Sequence, residues 1–359
     1  MARRRNLFTP PKRRRWGCIV LPALLLLLVL SGIFLNYTMT RYPVRRADKA
    51  TVLGLPRGLE GMRVLHLSDL HANVYGENQQ RLMDLVRHDN YRAVCMTGDM
   101  VGKSGNVQPL LQVLSAIPSD VPVFLIAGDE DPPPVLETPQ QEASPLNAWV
   151  RTAQQAGAIY LDSPYKMEVG KDIIWFCPAN LLTADLTAAQ FAMQERLKEV
   201  QAMPEGADRD ARLLAVQYRL DVLERTTLAK REMLPQHTYI ALSHTPLGEE
   251  AVSLIHRSQD GKVVMNNFPG TLSLILSGHL NNGQVRLPLL GALYAPPSEK
   301  WPGGFLPPDR DITGLSSARG VVQYISPGLG TSRLYPWWAS FRFLNPPAIT
   351  VLTLTADIF

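Results

Sequence analysis

Cysteine is scarce. Cys18, Cys95 and Cys177 are the three in 359 residues, an odd number without the close spacing of a thiolate metal site. The apolar runs around Cys95 and Cys177 mark those two as buried free thiols. There is no glycine-rich phosphate loop, no dinucleotide-binding glycine motif and no serine–histidine–aspartate arrangement. Charge is missing altogether from residues 16–40. A basic excess is missing from the body. The formal net charge is +4, from 36 Lys and Arg against 32 Asp and Glu, but seven of those bases lie in residues 1–15 with no acid among them. Without that tail, 29 bases face 32 acids, a net of −3. A mildly acidic body excludes a nucleic-acid footprint.

The uncharged stretch from Trp16 to Leu35 is almost wholly apolar. At about 1.5 Å per residue a helix of that length spans about 30 Å, one bilayer core. No Ala-x-Ala-like cleavage site follows it; the next residues are Asn36-Tyr37-Thr38-Met39. Residues 16–38 therefore read as an uncleaved transmembrane signal-anchor. The bases before it outweigh Arg41, Arg45, Arg46 and Lys49, opposed by Asp48, after it. The tail over residues 1–15 is expected to stay cytoplasmic, and the main domain to lie outside the cytoplasm near the lipid surface.

Residues 39–60 read as a linker, with an entry strand within 41–60, and the chain then takes on α/β grammar. Apolar strands end near Leu67, Met96 and Ala127, with amphipathic helices over 78–88 and 107–117 between them. A first domain segment spans 61–182 and a second 234–359. Residues 183–233 change character. Leu186, Ala189, Met193, Leu197 and Val200 mark one helix face, and Leu213, Val216, Leu220 and Leu223 another, with Pro204-Glu205-Gly206 between. This predicts an inserted helical hairpin: a packed decoration, or a lid or docking arm for a protein partner.

Chemistry gathers where strands run out. Val64-Leu65-His66-Leu67-Ser68-Asp69-Leu70-His71 places a carboxylate and an imidazole two residues apart, on one side of extended chain. Asp99 follows the second strand, Asp129-Glu130-Asp131 the third, His244 a fourth, and His279 with Asn281 a fifth. Sheets of this kind carry their chemistry beyond the carboxyl ends of their strands. Each residue alone could cap a helix or fill a turn. Five together, each after an apolar strand, point to a metal site. Mixed imidazole and carboxylate ligands suit Mn, Fe or Zn, and a bridging carboxylate holds two cations about 3.5–4 Å apart for in-line displacement at phosphorus.

The order Asp69-x-His71, Gly98-Asp99, Gly128-Asp129-Glu130-Asp131, Ser243-His244 and Gly278-His279-x-Asn281 resembles the calcineurin-like metallophosphoesterases. Gly283 to Pro288 and Tyr324 to Gly330 resemble a membrane-anchored bacterial branch of that family. The resemblance implies an α/β fold built as a four-layer α/β/β/α sandwich. It implies two divalent metal ions and hydrolysis of a phosphoester through a metal-bridging water. Carried over by position, one metal is held by Asp69, His71 and Asp99, with Asn281 where the family usually has histidine. The other is held by Asp99, Asp129 in place of asparagine, His244 and His279. Glu130 stands where the family's catalytic histidine would be, and could act as a general acid were its pKa raised. An amide at Asn281 favours a harder ion such as Mn or Mg.

Two readings follow. One is a membrane-anchored, two-metal phosphoester hydrolase, with a lipid-linked phosphate or pyrophosphate within reach of the anchor. The alternative is a catalytically impaired relative that binds metal, phosphate or a partner, given the altered Asp129, Glu130 and Asn281. Trp301, Trp337, Trp338 and Tyr335 are candidates for the lipid interface, with ordinary packing the competing explanation.

Overall fold

The computed structural model describes residues 17–256 and 272–356; the basic tail expected over 1–15 lies outside them. Helix α1 (Gly17–Arg41) contains Pro22 early in its length, and its stretch Val20–Arg41 has mean hydropathy 2.2 with none of its most apolar window buried. It is long and apolar enough to cross a membrane.

The stretch expected to hold a linker and an entry strand is largely strand. β1 (Val44–Val52) pairs in parallel along its whole length with strand Ala348–Ala356. Its sequence hides this because β1 is an edge strand. Arg45 and Lys49 face solvent, and only Ala50 and Val52 are buried, so apolar alternation is confined to one end.

Two six-stranded sheets stack face to face. The first runs β1, Ala348–Ala356, β2 (Arg63–Leu67), β3 (Ala93–Thr97), β4 (Val123–Ile126) and β5 (Ala158–Tyr160), with the last four mutually parallel. The second runs Gly314–Ala318, Val321–Ile325, β9 (Leu274–Ser277), β8 (Thr238–Leu242), β7 (Asp172–Pro178) and β6 (Tyr165–Val169). β3, β4, β8 and β9 are buried at every position, as central parallel strands must be. Alternate residues then serve opposite faces. Val64, Cys95, Phe124, Phe176, Ile240, Leu274 and Leu352 meet between the sheets. Leu65, Leu67, Met96 and Leu125 pack outward on helices α2 (Gln80–Arg87), α3 (Gln108–Leu114) and α4 (Ala148–Gln155). Trp175, Tyr239 and Ile275 pack outward beneath helices α5 (Ala179–Thr183) and α8 (Glu249–His256). The result is the α/β/β/α sandwich.

The helical pair between the sheet segments is α6 (Leu186–Gln201) and α7 (Ala207–Glu232). Asp185 caps α6 by accepting from the Ala188 N–H at 3.0 Å. The pair lies down on the body. Arg225 grips Asp162 at 2.9 Å, Arg219 bonds Glu137, and Val216 and Leu223 are buried.

Candidate metal centre

Backbone strain concentrates at the strand ends. Asp69, His71, Asp99, His279 and Asn281 all have positive φ, between 46° and 72°. For residues other than glycine that costs about 1–3 kcal/mol each, so the surrounding structure must hold them. The holding bonds are on view. Asp69 N–H donates to Gly98 O (3.0 Å) and His71 N–H to Asp99 O (2.8 Å), which locks the first loop to the second. Asp131 accepts from the N–H groups of Val101 (3.0 Å), Gly102 (2.8 Å) and Gly128 (3.0 Å), tying the second loop to the third. Gly98, at φ 86°, is required where it stands: a Cβ would lie 2.6 Å from His244 Nδ1 and 2.7 Å from Gly128 Cα.

These loops bring together Asp69, His71, Asp99, Asp129, Glu130, His244 and His279. Their ligand atoms form three overlapping groups, each within 4.8 Å: Asp129 with His244 and His279, Asp69 with Asp99 and His244, and His71 with Asp99 and Glu130. His244 Nε2 is 2.8 Å from Asp129 Oδ1 and 3.3 Å from Asp99 Oδ2. Its other nitrogen, Nδ1, sits 2.8 Å from Thr97 O, a carbonyl that can only accept. Nδ1 therefore carries a proton in either charge state; a charged ring also donates from Nε2 to the carboxylates, and only a ring that gives up that second proton offers Nε2 as a ligand.

The electrostatics ask for a cation. Burial, with Asp99 adding to it, raises the Asp69 carboxyl above its usual range, while His244 and His71 pull it back. Burial opposes ionisation of Asp129, yet hydrogen bonds from His244 and His279 outweigh it and hold that carboxyl low. Burial likewise disfavours a charged His244, but Asp129 and Asp99 lift it well above 6.5. Asp99 Oδ2 and His71 Nε2 are buried without a hydrogen-bond partner, although both groups have ligand chemistry. Orphaned donor atoms between desolvated acids fit a divalent cation.

Asn281 differs from its expected part. It is fully buried, and its Oδ1 accepts from Arg342 Nη2 at 3.0 Å. A guanidinium can only donate, so the amide oxygen is committed there and the NH₂ turns toward Asp69 Oδ1 (3.5 Å) and His279 O (3.2 Å). Asn281 thus presents hydrogens, not an oxygen, to Asp69. Glu130 is 4 % exposed. Its oxygens accept from Arg333 N–H (3.0 Å) and stand 3.5 Å from Lys103 Nζ and 3.6 Å from His71 Nδ1.

The sequence pattern of calcineurin-like phosphoesterases matches residues 62–282, the stretch that supplies every one of these loops. The chain belongs to that family. YkuE of Bacillus subtilis (strain 168), an uncharacterized metallophosphoesterase, is 32% identical over 104 residues. That is 29% of this chain and 30% of that protein, so under a third of the relative is spanned. A crystal structure of a phosphopantetheinyl hydrolase, PptH from Mycobacterium tuberculosis, is similar over 75% of this chain and 89% of that one. Its identity is 13% and its TM-score 0.35, a level that bears on neither substrate nor reaction.

Family members use divalent metals, and the ligand groups here suit them. Arg342 was not readable as part of the centre. It lies 61 residues beyond Asn281, and the one hint is its place between Phe341 and Phe343. Lys103 and Arg333 were also unforeseen; with His71 and Glu130 they line a cavity of about 370 Å³. A second cavity, about 490 Å³, lies under the helical pair. It is walled by Met193, Tyr218, Val222 and Leu223 and reaches Ser243 and His244. Of the aromatics proposed for a lipid interface, Trp337 is 87% exposed, whereas Tyr335 is buried and Trp338 stacks on Phe305 at 5.8 Å.

Proposed function

We propose that the chain is a membrane-anchored phosphoester hydrolase that needs divalent metal, with its body outside the cytoplasm. The observation that carries the reading is the place of Asp99 Oδ2, 3.6 Å from His71 Nε2 on one side and 3.3 Å from His244 Nε2 on the other. A buried carboxylate reaching both halves of one cluster is what a pair of cations requires. Asp69, His71 and Asp99 would hold the first ion, with Glu130 in the place expected for Asn281. Asp99, Asp129, His244 and His279 would hold the second. Mn, Fe or Zn match these donors. When bound, such ions neutralise phosphoryl oxygens and acidify water for attack at phosphorus.

The chain's own groups do the rest. Thr97 O fixes the tautomer of His244 and aims its Nε2. Asp131 holds the second and third loops in register through three backbone N–H groups. Lys103 and Arg333, at the cavity beside His71, supply cations to the non-reacting oxygens of a phosphate. The apolar α1 and the seven bases before it support anchoring with the tail in the cytoplasm. A lipid-linked phosphate or pyrophosphate is the substrate class that such an anchor favours.

A second reading, a catalytically weak binder of metal or phosphate, is favoured by Glu130 in place of histidine and by the capture of Asn281 by Arg342. Metal content and turnover of bis(4-nitrophenyl) phosphate, measured for wild type and Asp99→Asn, separate the two. Metal and turnover lost together in the variant support the hydrolase. Wild type that binds metal and turns nothing over supports the binder.

A further inference from the structure

We infer that a basic cleft running from the membrane end of α1 to the metal centre admits the phosphate-bearing headgroup of a membrane lipid. The inference rests on the anchored-hydrolase reading and deepens it by naming how the substrate arrives.

Two cavities make up the cleft. The inner one, about 370 Å³, lies over His71 and Glu130. The outer one, about 630 Å³, is lined by Asn36, Thr40 and Arg41 from the last turns of α1. Asn73, Thr331 and Ser340 line both, so the two adjoin. Its walls are basic in a body whose net charge is acidic. Among the described residues the outer cavity has no acidic wall residue, and Glu130 is the single acid of the inner one. Arg41 and Arg81 stand at the outer end, Lys103 and Arg333 at the inner. Arg41 stacks on the Tyr37 ring (4.4 Å) and Arg81 on that of Tyr42 (3.8 Å). Neither guanidinium forms an ion pair among the described residues, so both positive charges remain for an anion.

The mouth of the cleft is set against the bilayer. Asn36 of α1 donates to Arg342 O at 3.2 Å and accepts from Leu344 N–H at 2.9 Å. The membrane helix is thereby joined to the loop that walls the cleft. Val74 and Phe341 at the outer rim are 54% and 47% exposed, and Trp337 on the same loop is 87% exposed. Apolar and aromatic side chains around a cationic opening suit the headgroup region, where rings rest among lipids and cations meet phosphates. The other cavity that reaches the site, beneath α7, has no lining residue from α1.

The test uses full-length protein in detergent and native mass spectrometry, with phosphatidic acid as the phosphomonoester probe and phosphatidylcholine as control. Wild type should retain phosphatidic acid over phosphatidylcholine, and an equal concentration of inorganic phosphate should not displace it. Arg41→Gln/Arg81→Gln should weaken that retention by about tenfold or more, given about 1 kcal/mol per basic residue at an anionic surface. Arg81 also donates to Arg41 O (2.9 Å), so Arg41→Gln alone carries the test should the pair fail to fold. No preference for phosphatidic acid, a preference unchanged in the variants, or displacement by equal inorganic phosphate would overturn the inference. Turnover of bis(4-nitrophenyl) phosphate by the same preparations keeps the two ideas apart. Lipid preference without turnover sinks the hydrolase and leaves the cleft. Turnover without lipid preference does the reverse.

Discussion

Asp99 and His244 each belong to two of the three ligand groups, and Asp99 is the carboxylate of that pair. Its Oδ1 accepts from the Glu130 N–H at 2.8 Å, and its Oδ2 lies 3.3 Å from His244 and 3.6 Å from His71. Replacing it with asparagine should remove turnover by more than about 100-fold and lower the metal content, as read by elemental analysis. Glu130 separates ligand from general acid. Glu130→Gln should weaken one metal of two by about 10–100-fold in a competitive chelator titration, with the other unaffected. Undiminished affinity for both ions, with only the rate reduced, would return Glu130 to a proton-transfer role. His66 makes a different prediction. It is fully buried against Thr97 (2.9 Å), and burial lowers its pKa from 6.5 to about 3. Folded protein keeps the ring neutral, whereas unfolded chain takes up a proton below about pH 6.5. Stability is therefore complete above that pH and falls on acidification by about 1.4 kcal/mol per unit from this group. Urea unfolding between pH 7 and pH 4.5 should show a slope shallower by about one proton in His66→Gln. The place of Asp69, His71 and Asp99 just beyond strand ends was legible in the sequence because an apolar strand precedes each. The orientation of Asn281 was not, because a guanidinium 61 residues away decides it.

At the scale of elements, the strands that could be read are those whose burial is uniform. β8, the fourth apolar strand expected ahead of His244, is found at Thr238–Leu242, all five positions buried. The extent and pairing of the entry strand β1 were not readable, because a charged edge strand has almost the composition of a linker. The helical hairpin was visible from its two apolar faces. Its seating was not, because that depends on Arg225 reaching Asp162 and Arg219 reaching Glu137 from distant parts of the chain. Packed so, α7 walls a cavity that ends at His244. Val222→Trp should fill that space and raise KM for bis(4-nitrophenyl) phosphate by about tenfold with kcat little changed. Equal kinetics in the variant would remove the cavity from the substrate's path. In the loop after β3, Gly98→Ala should cost about 2 kcal/mol or more in urea unfolding, from its positive φ and its closeness to His244.

For the whole molecule, the sandwich follows from strands that serve two faces and helices that cover the outer ones. The orientation proposed across the membrane rests on charge alone. Trypsin added to intact spheroplasts should digest the body; protection until lysis would place it in the cytoplasm instead. One feature of the assembly limits how such a protein could work. α1 ends at Arg41 and β1 begins at Val44, so there is no leash between them. With Asn36 also clasped by the loop at Leu344, a body anchored as proposed would spin about the bilayer normal and drift sideways without wandering into the bulk. Encounters then belong to a plane. Diluting the aqueous phase would leave the frequency of meeting a lipid unchanged, while spreading the same lipids over more area would lower it.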